Sequence, residues 1–559
     1  MDQKTLIGFV LIGAILLFWP TYLEFIAPEP TEEGSNYQTQ EVVLGDNSRE
    51  TTKSPPVPTT ISNQSSLESF FVIETPLFTT KVSNKNGGSF DSFLVTKHLK
   101  KSEKTLDLID GENKNNLLVS YINQSGEEIF LNEFWGEKRV PFDGGKKSVV
   151  LSSENPTTTL SYVLEVGGKI VQKDLTFSYD SYKVVVNTNL GGVREEILDG
   201  RFRLDWFGGL PITEPTQDAM FLEGLVGQSG DIESYSLGSA GIFGGSSSDI
   251  ERDTKQYTGQ AEFVGYRTKY FGVFFVPQKT DFVELSKYST GGRAAIDIVT
   301  SQNINFERVD VFLGPLEYEE ISRLNVGIEE KILGWQWLSS ISWLVYRVMT
   351  FLYSLIPNYG IVVVLFAVLI KTVTYPLMAK QLRSSKKMQE LNPLMNTIKT
   401  KYKNNPTLQQ QKIAALFQEH KINPLAGCLP MLIQMPILMS VFMVFRNTIE
   451  FRGESFVFWI KDLSAPDAVY TLPFSIPIYG EHVAILPVLM VVSMFIQQRM
   501  MSGGAAQQPQ QKTMQYFMTG FFFLMFNSFP SGLNLYYTLF NVLTIAQQKL
   551  IPPEVPVST

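Results

Sequence analysis

Cysteine is nearly absent. The 559-residue chain has one, Cys428, so no intramolecular disulfide can form. Any part of it in an oxidising compartment must hold together by its own core. Histidine is scarce too. His98, His420 and His482 fall in three different regions and cannot be read as a metal cluster. No nucleophile elbow, phosphate-binding loop or HExxH pattern occurs. Enzyme chemistry is therefore unsupported, and no cofactor is implied. Asp and Glu are missing from five apolar runs, 359–378, 425–445, 483–498, 514–530 and 531–551. A carrier driven by protons or sodium usually needs a carboxylate there, and no inverted repeat is apparent.

What is present points to two materials in one chain. Mean hydropathy is +0.01, high for a soluble protein, yet charged residues make up 18 %. That mixture fits a membrane part joined to a soluble part. The net charge of −8 averages acidic and basic regions and says little as a total. The organising stretch is Tyr359–Met378, YGIVVVLFAVLIKTVTYPLM. It has about the ~20 residues needed to cross a ~30 Å hydrocarbon core. One cation, Lys371, lies inside it. A Lys at the centre of a span costs about 2.5–3.5 kcal/mol on insertion scales, so it requires a reason.

In order, residues 1–27 hold the first apolar run, TLIGFVLIGAILLFWPTYLEF, after the barely positive MDQK. No small-x-small cleavage site follows, so an uncleaved anchor helix is favoured over a signal peptide. Residues 28–66 are rich in Pro, Glu, Ser, Thr and Asn and read as a flexible linker. From 67 to 325 short Val, Ile, Phe, Tyr and Thr runs such as YKVVVNTNL (Tyr182–Leu190) alternate with turns such as NKNGG (Asn84–Gly88). This texture predicts one large antiparallel β-sandwich, with Ser229–Thr258 as a Gly/Ser-rich surface loop. Residues 326–358 concentrate Trp335, Trp337, Trp343 and Tyr346 among serines, which fits an amphipathic helix lying at the interface. Five spans follow, at 359–378, 425–445, 483–498, 514–530 and 531–551. Between them lie a basic segment at 379–424, a polar loop at 446–482, a Gln/Gly-rich loop at 499–513 and a tail at 552–559. The expected fold class is a membrane α-helical bundle of six transmembrane helices, five in its core, plus an all-β periplasmic domain.

Charge sets the topology. Within Ala379–Asn423 nine cations, among them Arg383, Lys386, Lys387, Lys399, Lys401 and Lys403, face two acids, a net +7. The positive-inside rule puts this segment in the cytoplasm. Counting spans outward then places both termini in the cytoplasm and the β domain outside, provided 326–358 does not cross. Met388, Leu391, Met395, Ile398 and Tyr402 recur at helical spacing, NNPT (Asn404–Thr407) breaks the pattern, and Thr407 with Gln410 matches a capping box for a second helix. The result is a helical hairpin with basic outer faces. It is either a solvated loop that fixes topology or a docking surface for a ribosome, a polypeptide or anionic lipid heads.

Polar residues inside the spans allow two readings. Lys371 could snorkel to the cytoplasmic interface, or face a water-filled cavity open to the cytoplasm. Gln434 and Ser440 lie in the next span, and Asn534, Thr538, Asn541 and Gln548 share one face of the last. That stripe serves either helix–helix hydrogen bonding or a hydrophilic groove.

Four motifs then occur in order: NPLAGCLPMLIQMPIL (Asn423–Leu438), WIKDLSAPD (Trp459–Asp467), LPVLMVVSMFIQQRM (Leu486–Met500) and FPSGLNLYY (Phe529–Tyr537). Together they resemble the core of the YidC/Oxa/Alb membrane-protein insertases, over about Trp335–Leu550. Val72–Leu94, VIETPLFTTKVSNKNGGSFDSFL, resembles the start of the large periplasmic sandwich of the Gram-negative form. The resemblance implies a protein of the inner membrane that inserts and helps fold hydrophobic helices, alone or beside the Sec translocon, without ATP. Its implied partners are nascent membrane proteins, the ribosome transiently, the Sec translocon and membrane lipids, with no nucleic acid directly. It implies a groove open to the cytoplasm with Lys371 as its cation. Most relatives carry Arg there; Lys keeps the charge and loses the planar fork. Gln434, Asn534, Thr538 and Asn541 would line the groove, and Met435, Leu438 and Tyr537 would touch the passing chain. Two readings of other classes remain, a small-solute transporter and a carbohydrate-binding envelope protein.

Overall fold

The computed structural model describes residues 67–99, 105–109, 115–139, 147–214, 221–236, 252–290, 293–305, 307–334, 338–403, 405–420, 429–476, 479–501 and 509–550. The expected anchor helix, the linker, the tail, residues 502–508 of the 499–513 loop and the segment around Cys428 lie outside these residues.

Residues 67–315 are β. The strands are β1 (Phe70–Glu74), β2 (Phe78–Ser83), β3 (Ser89–Val95), β4 (Leu106–Asp107), β5 (Asn116–Asn123), β6 (Glu128–Phe130), β7 (Gly136–Arg139), β8 (Ser148–Val150), β9 (Thr157–Val166) and β10 (Lys169–Ser178). They continue as β11 (Lys183–Asn189), β12 (Ile197–Trp206), β13 (Glu223–Gln228), β14 (Asp231–Ser236), β15 (Asp253–Thr258), β16 (Phe263–Arg267), β17 (Phe271–Pro277), β18 (Thr280–Thr290), β19 (Arg293–Asn303) and β20 (Arg308–Pro315). Among the described residues these form three sheets, with strand orders β4-β3-β2-β1-β8, β14-β13-β16-β17-β20-β11-β10-β9-β7 and β15-β18-β19-β12-β5-β6. The β domain departs from its expected form in two places. The pairing is antiparallel except for β1 with β8, which run parallel. Strands β14 and β15 lie within Ser229–Thr258, which was expected to be a loop; each finds a partner strand, β13 and β18, that a local Gly/Ser count cannot show.

Period-two alternation explains the core. On β10 Val171, Lys173, Leu175 and Phe177 are buried while their neighbours are partly exposed. On β11 Val184, Val186 and Thr188 point the same way. The NKNGG turn has a packing reason for its last glycine. Gly88 has φ +103, and a Cβ there would lie 2.6 Å from Leu175 Cδ1.

Lys173 is the exception on an apolar face. It is fully buried, and its ammonium donates to the backbone carbonyls of Asn86 at 3.0 Å and Leu117 at 2.5 Å. Both acceptors are non-glycine residues at positive φ, 59° and 53°, a conformation that needs outside support. Burial lowers the Lys173 pKa to about 7.

Helices follow. They are α1 (Tyr318–Ser322), α2 (Ile328–Ile332), α3 (Ser339–Leu355), α4 (Tyr359–Glu390), α5 (Asn392–Lys401), α6 (Pro406–Glu419), α7 (Leu429–Asn447), α8 (Leu486–Met501), α9 (Pro509–Phe526) and α10 (Ser531–Leu550). Between α7 and α8 a two-stranded hairpin forms, β21 (Ala468–Ile476) and β22 (Gly480–Ala484). Among the described residues one helix stretch is long and apolar enough by itself to cross a membrane, Tyr359–Pro376, and Met435–Asn447 and Leu486–Met500 are shorter apolar helices. A second apolar core, with Val362, Phe366, Val444, Phe445, Leu533 and Tyr536 at its centre, holds the helices together.

Helix α4 carries the boundary further than the sequence reading. It continues without a break to Glu390, past the expected end at 378, because Arg383, Ser384 and Lys386 are compatible with helix. Pro393, at the start of α5, cannot donate to the turn before it, so the expected single helix through Met388–Tyr402 is split at Leu391. The second hairpin helix is capped by Asn405, whose side chain accepts from Leu408 N at 3.1 Å. Pro406 follows in the first helical turn. The expected cap at Thr407 thus falls inside the helix.

Candidate functional site

The site is built where α4 meets α10. Lys371 is 3 % exposed. Its ammonium donates to Thr544 Oγ1 at 2.5 Å and lies 3.2 Å from the centroid of the Phe540 ring. A charged donor over an aromatic face gains from the ring quadrupole, more so when water is excluded. Gln547 Nε2 donates to the Lys371 carbonyl at 3.3 Å. Phe540, Thr544 and Gln547 stand at i, i+4 and i+7, one face of a helix. Phe366 and Tyr536 pack one turn outward, their rings 5.9 Å apart. The Lys371 amine is therefore turned toward α10. Pro376 sits inside the same unbroken helix five residues on, leaving the Thr372 carbonyl without its regular donor.

Along the polar stripe of α10 the described contacts run between helices. Asn534 is fully buried, and its amide donates to the carbonyls of Phe526 at 3.0 Å and Phe529 at 3.4 Å, closing the end of α9. Thr538 donates back to the Asn534 carbonyl. Asn541 reaches α8, at Ser493 Oγ (3.3 Å) and the Met490 carbonyl (3.5 Å). These contacts join helices. The side chain that meets Lys371 is Thr544, with Phe540 beneath it, and the sequence reading missed both. The only available signal was a threonine inside an apolar helix.

Several buried polar atoms here have no protein partner: Ser440 Oγ, Thr519 Oγ1, Asn534 Oδ1, Tyr536 OH, Gln547 Oε1 and the Gln548 amide. Buried polar atoms normally find a partner, and ordered water supplies it where protein does not.

Met435 on α7 is 48 % exposed. Leu438 and Tyr537 are half-buried, and the Tyr537 ring meets Phe526 edge-on at 5.3 Å. The side chain of Gln434 lies outside the described residues, as do those of Arg383, Lys386 and Lys387. On the basic hairpin Lys401 and Lys403 are exposed and Lys399 is half-buried. Gln409 Nε2 donates to the Lys399 carbonyl at 2.9 Å and ties α6 to α5. No group of three metal-ligating side chains occurs among the described residues.

Comparison with known proteins agrees with this division of the chain. A family model described as "60Kd inner membrane protein" matches residues 351–556, and one described as "YidC periplasmic domain" matches residues 71–346. A curated "Membrane protein insertase YidC" of Chlorobaculum parvum is 32 % identical over 581 aligned residues, covering 99 % of this chain and 94 % of its own. Its counterpart in Chlorobaculum tepidum is 32 % identical, covering 98 % and 94 %. A solved structure, "Active YidC insertase crystal structure with the first transmembrane domain resolved", aligns over 86 % of this chain and 94 % of its own, at 19 % identity and a TM-score of 0.34.

Proposed function

The chain belongs to the YidC family of membrane protein insertases, and from that premise we propose that it moves hydrophobic helices into the inner membrane through a polar cleft between α4 and α10. The family is not enzymatic, and its members are inner-membrane proteins with a periplasmic domain. The observation that carries the cleft reading is Lys371, a buried cation held by Thr544 and Phe540, with Gln547, whose Oε1 has no protein partner, against its backbone. Such a place lowers the cost of moving a short hydrophilic segment partway across an otherwise apolar slab.

In this reading an acidic stretch of the incoming chain displaces the Thr544 hydroxyl as partner of the ammonium. The apolar helix then slides past Met435, Leu438 and Tyr537 into lipid, where burial contributes roughly 25 cal/mol per Å2. In the same reading Gln434, Asn534, Thr538 and Asn541 would line this path. Met435 suits varied clients because its side chain is unbranched and adaptable. Helix α4 has 32 residues, about 48 Å at 1.5 Å per residue. Its basic end thus outruns a ~30 Å hydrocarbon core and joins α5 and α6 as a cytoplasmic hairpin. Arg383, Lys386, Lys387, Lys399, Lys401 and Lys403 would meet the ribosome, the nascent chain or lipid heads there. The six-span topology, both termini cytoplasmic, and work alone or beside the Sec translocon belong to the same reading.

A photo-crosslinker at Leu438 tests it. With a ribosome stalled while making a single-span protein, a crosslink to the nascent helix is expected, and it should vanish when that helix is made polar. No crosslink, beside a working control insertase, would remove Leu438 from the path.

A further inference from the structure

The segment between α7 and α8 contains a feature that the insertion path does not use. Among the described residues, strands β21 and β22 pair only with each other. A lone two-stranded hairpin is marginal in water, and the first strand and turn of this one are apolar, its one carboxylate, Glu481, standing exposed on β22. From Ala468 to Gly480 the sequence AVYTLPFSIPIYG holds no charge. Val469, Tyr470, Phe474 and Ile476 are exposed, Phe474 by 60 %. Nearby in sequence, Val457 is exposed and Phe458 is 91 % exposed at φ +59°. An outward phenylalanine in the left-handed region is costly in water on both counts.

Both ends of the hairpin are tied to helix ends. Asp467, before β21, is buried and accepts from the backbone N–H groups of Ile485 (3.0 Å) and Leu486 (2.8 Å), at the start of α8. The same Oδ2 accepts from Trp459 Nε1 at 2.9 Å, which pins the Phe458 loop to the hairpin base. At the turn, Asn527 Nδ2 donates to the carbonyls of Tyr479 (2.9 Å) and His482 (2.5 Å), just beyond α9. The ribbon therefore lies across the ends of α8 and α9 and cannot stand away from them.

We propose that the β21–β22 hairpin and the Val457–Trp459 loop form an interfacial anchor, seated in the phospholipid headgroup layer of the periplasmic leaflet. The inference rests on the reading above that α7 to α9 cross the bilayer with residues 446–482 outside. The argument for lipid as the occupant is continuity. The ribbon joins α8 through a single residue, Ile485, so its depth is that of a helix end. Aromatic and aliphatic side chains without charge are what that layer favours.

Nitroxide labels in the full chain test it, in proteoliposomes of phosphatidylethanolamine and phosphatidylglycerol. The background is Cys428→Ser, and labels go on Phe474→Cys and, separately, on Phe458→Cys. Val492→Cys, exposed on α8, serves as the lipid reference, and Lys412→Cys, exposed on α6, as the water reference. The readout is collision with oxygen against collision with a water-soluble nickel chelate. Labels at 474 and 458 should both fall between the two references, shifted toward oxygen. Nickel accessibility equal to that at 412, with 492 still lipid-like, overturns the anchor and means that the ribbon faces water, as for a docked client strand. Water-like behaviour at 492 as well overturns the membrane crossing beneath it. Two sites in separate loops keep the test valid if one variant fails to fold.

Discussion

Arg452 and Glu214, 238 residues apart, form a buried ion pair, Nε to Oε1 at 2.9 Å. The arginine side chain is 0 % exposed and the glutamate side chain 10 %. The guanidinium also donates to the His98 carbonyl at 2.5 Å and lies 5.6 Å from the Phe271 ring centroid. Arg452 follows α7, whereas Glu214, His98 and Phe271 belong to the β region. One cation from the helical part is thus enclosed by three groups of the sandwich.

Removing one member of a buried pair strands the other charge, a loss of about 3–5 kcal/mol. Arg452→Ala is expected to loosen the junction by that order. Faster trypsin cleavage between the sandwich and the helices would report it. The double variant Arg452→Met with Glu214→Leu should recover part of the loss, because no buried charge is left alone. A double variant as labile as the sum of the singles would show that the pair is not the relevant interaction.

Lys371 offers a second test. A hydrogen bond to a charged group contributes about 1.5–3 kcal/mol, roughly ten- to hundredfold in rate if it acts wholly in the barrier. Lys371→Ala should slow insertion of clients with acidic translocated tails by about that factor, and Lys371→Arg should retain most of the rate. Clients with uncharged tails should be affected least. Protease protection of such clients in proteoliposomes is the measurement. Equal loss for all clients would point to a packing defect instead of a charge role.

Lys173 predicts a pH dependence in the sandwich. Its folded pKa is lowered to about 7, against about 10.4 in an unfolded chain. Between those values the unfolded state binds a proton that the folded state does not. Stability should therefore rise with pH through that window, at most about 1.36 kcal/mol per unit from this group, and level off above it. Lys173→Met should abolish that part of the slope. It should also destabilise by about 1–3 kcal/mol, because the Asn86 and Leu117 carbonyls lose their donor. Thermal unfolding of the full chain at pH 7 and pH 9, with and without the substitution, checks both. Parallel pH profiles would refute the assignment.

What the sequence determined by itself was local. Composition and run length separated a β part from a helical part, because period-two alternation and apolar runs are each set by one segment's own surroundings. The one cation in Tyr359–Met378 marked Lys371, since charge in such a run is rare enough to stand out. Asn534, Thr538 and Asn541 were visible as a polar stripe for the same reason. Tertiary structure alone decided what these residues meet. The rotation of α10 against α4 puts Thr544 and Phe540 on Lys371 and turns Asn541 to α8, and that rotation follows from packing around Phe366 and Tyr536. The parallel pairing of β1 with β8 and the Arg452–Glu214 pair join segments far apart in the chain, so no local pattern carries them. Asn405 displaced Thr407 as a cap because Pro406 set the first turn, a choice between neighbours that propensity left open. A sequence records which groups must be buried or partnered; the partner is chosen only when the chain closes on itself.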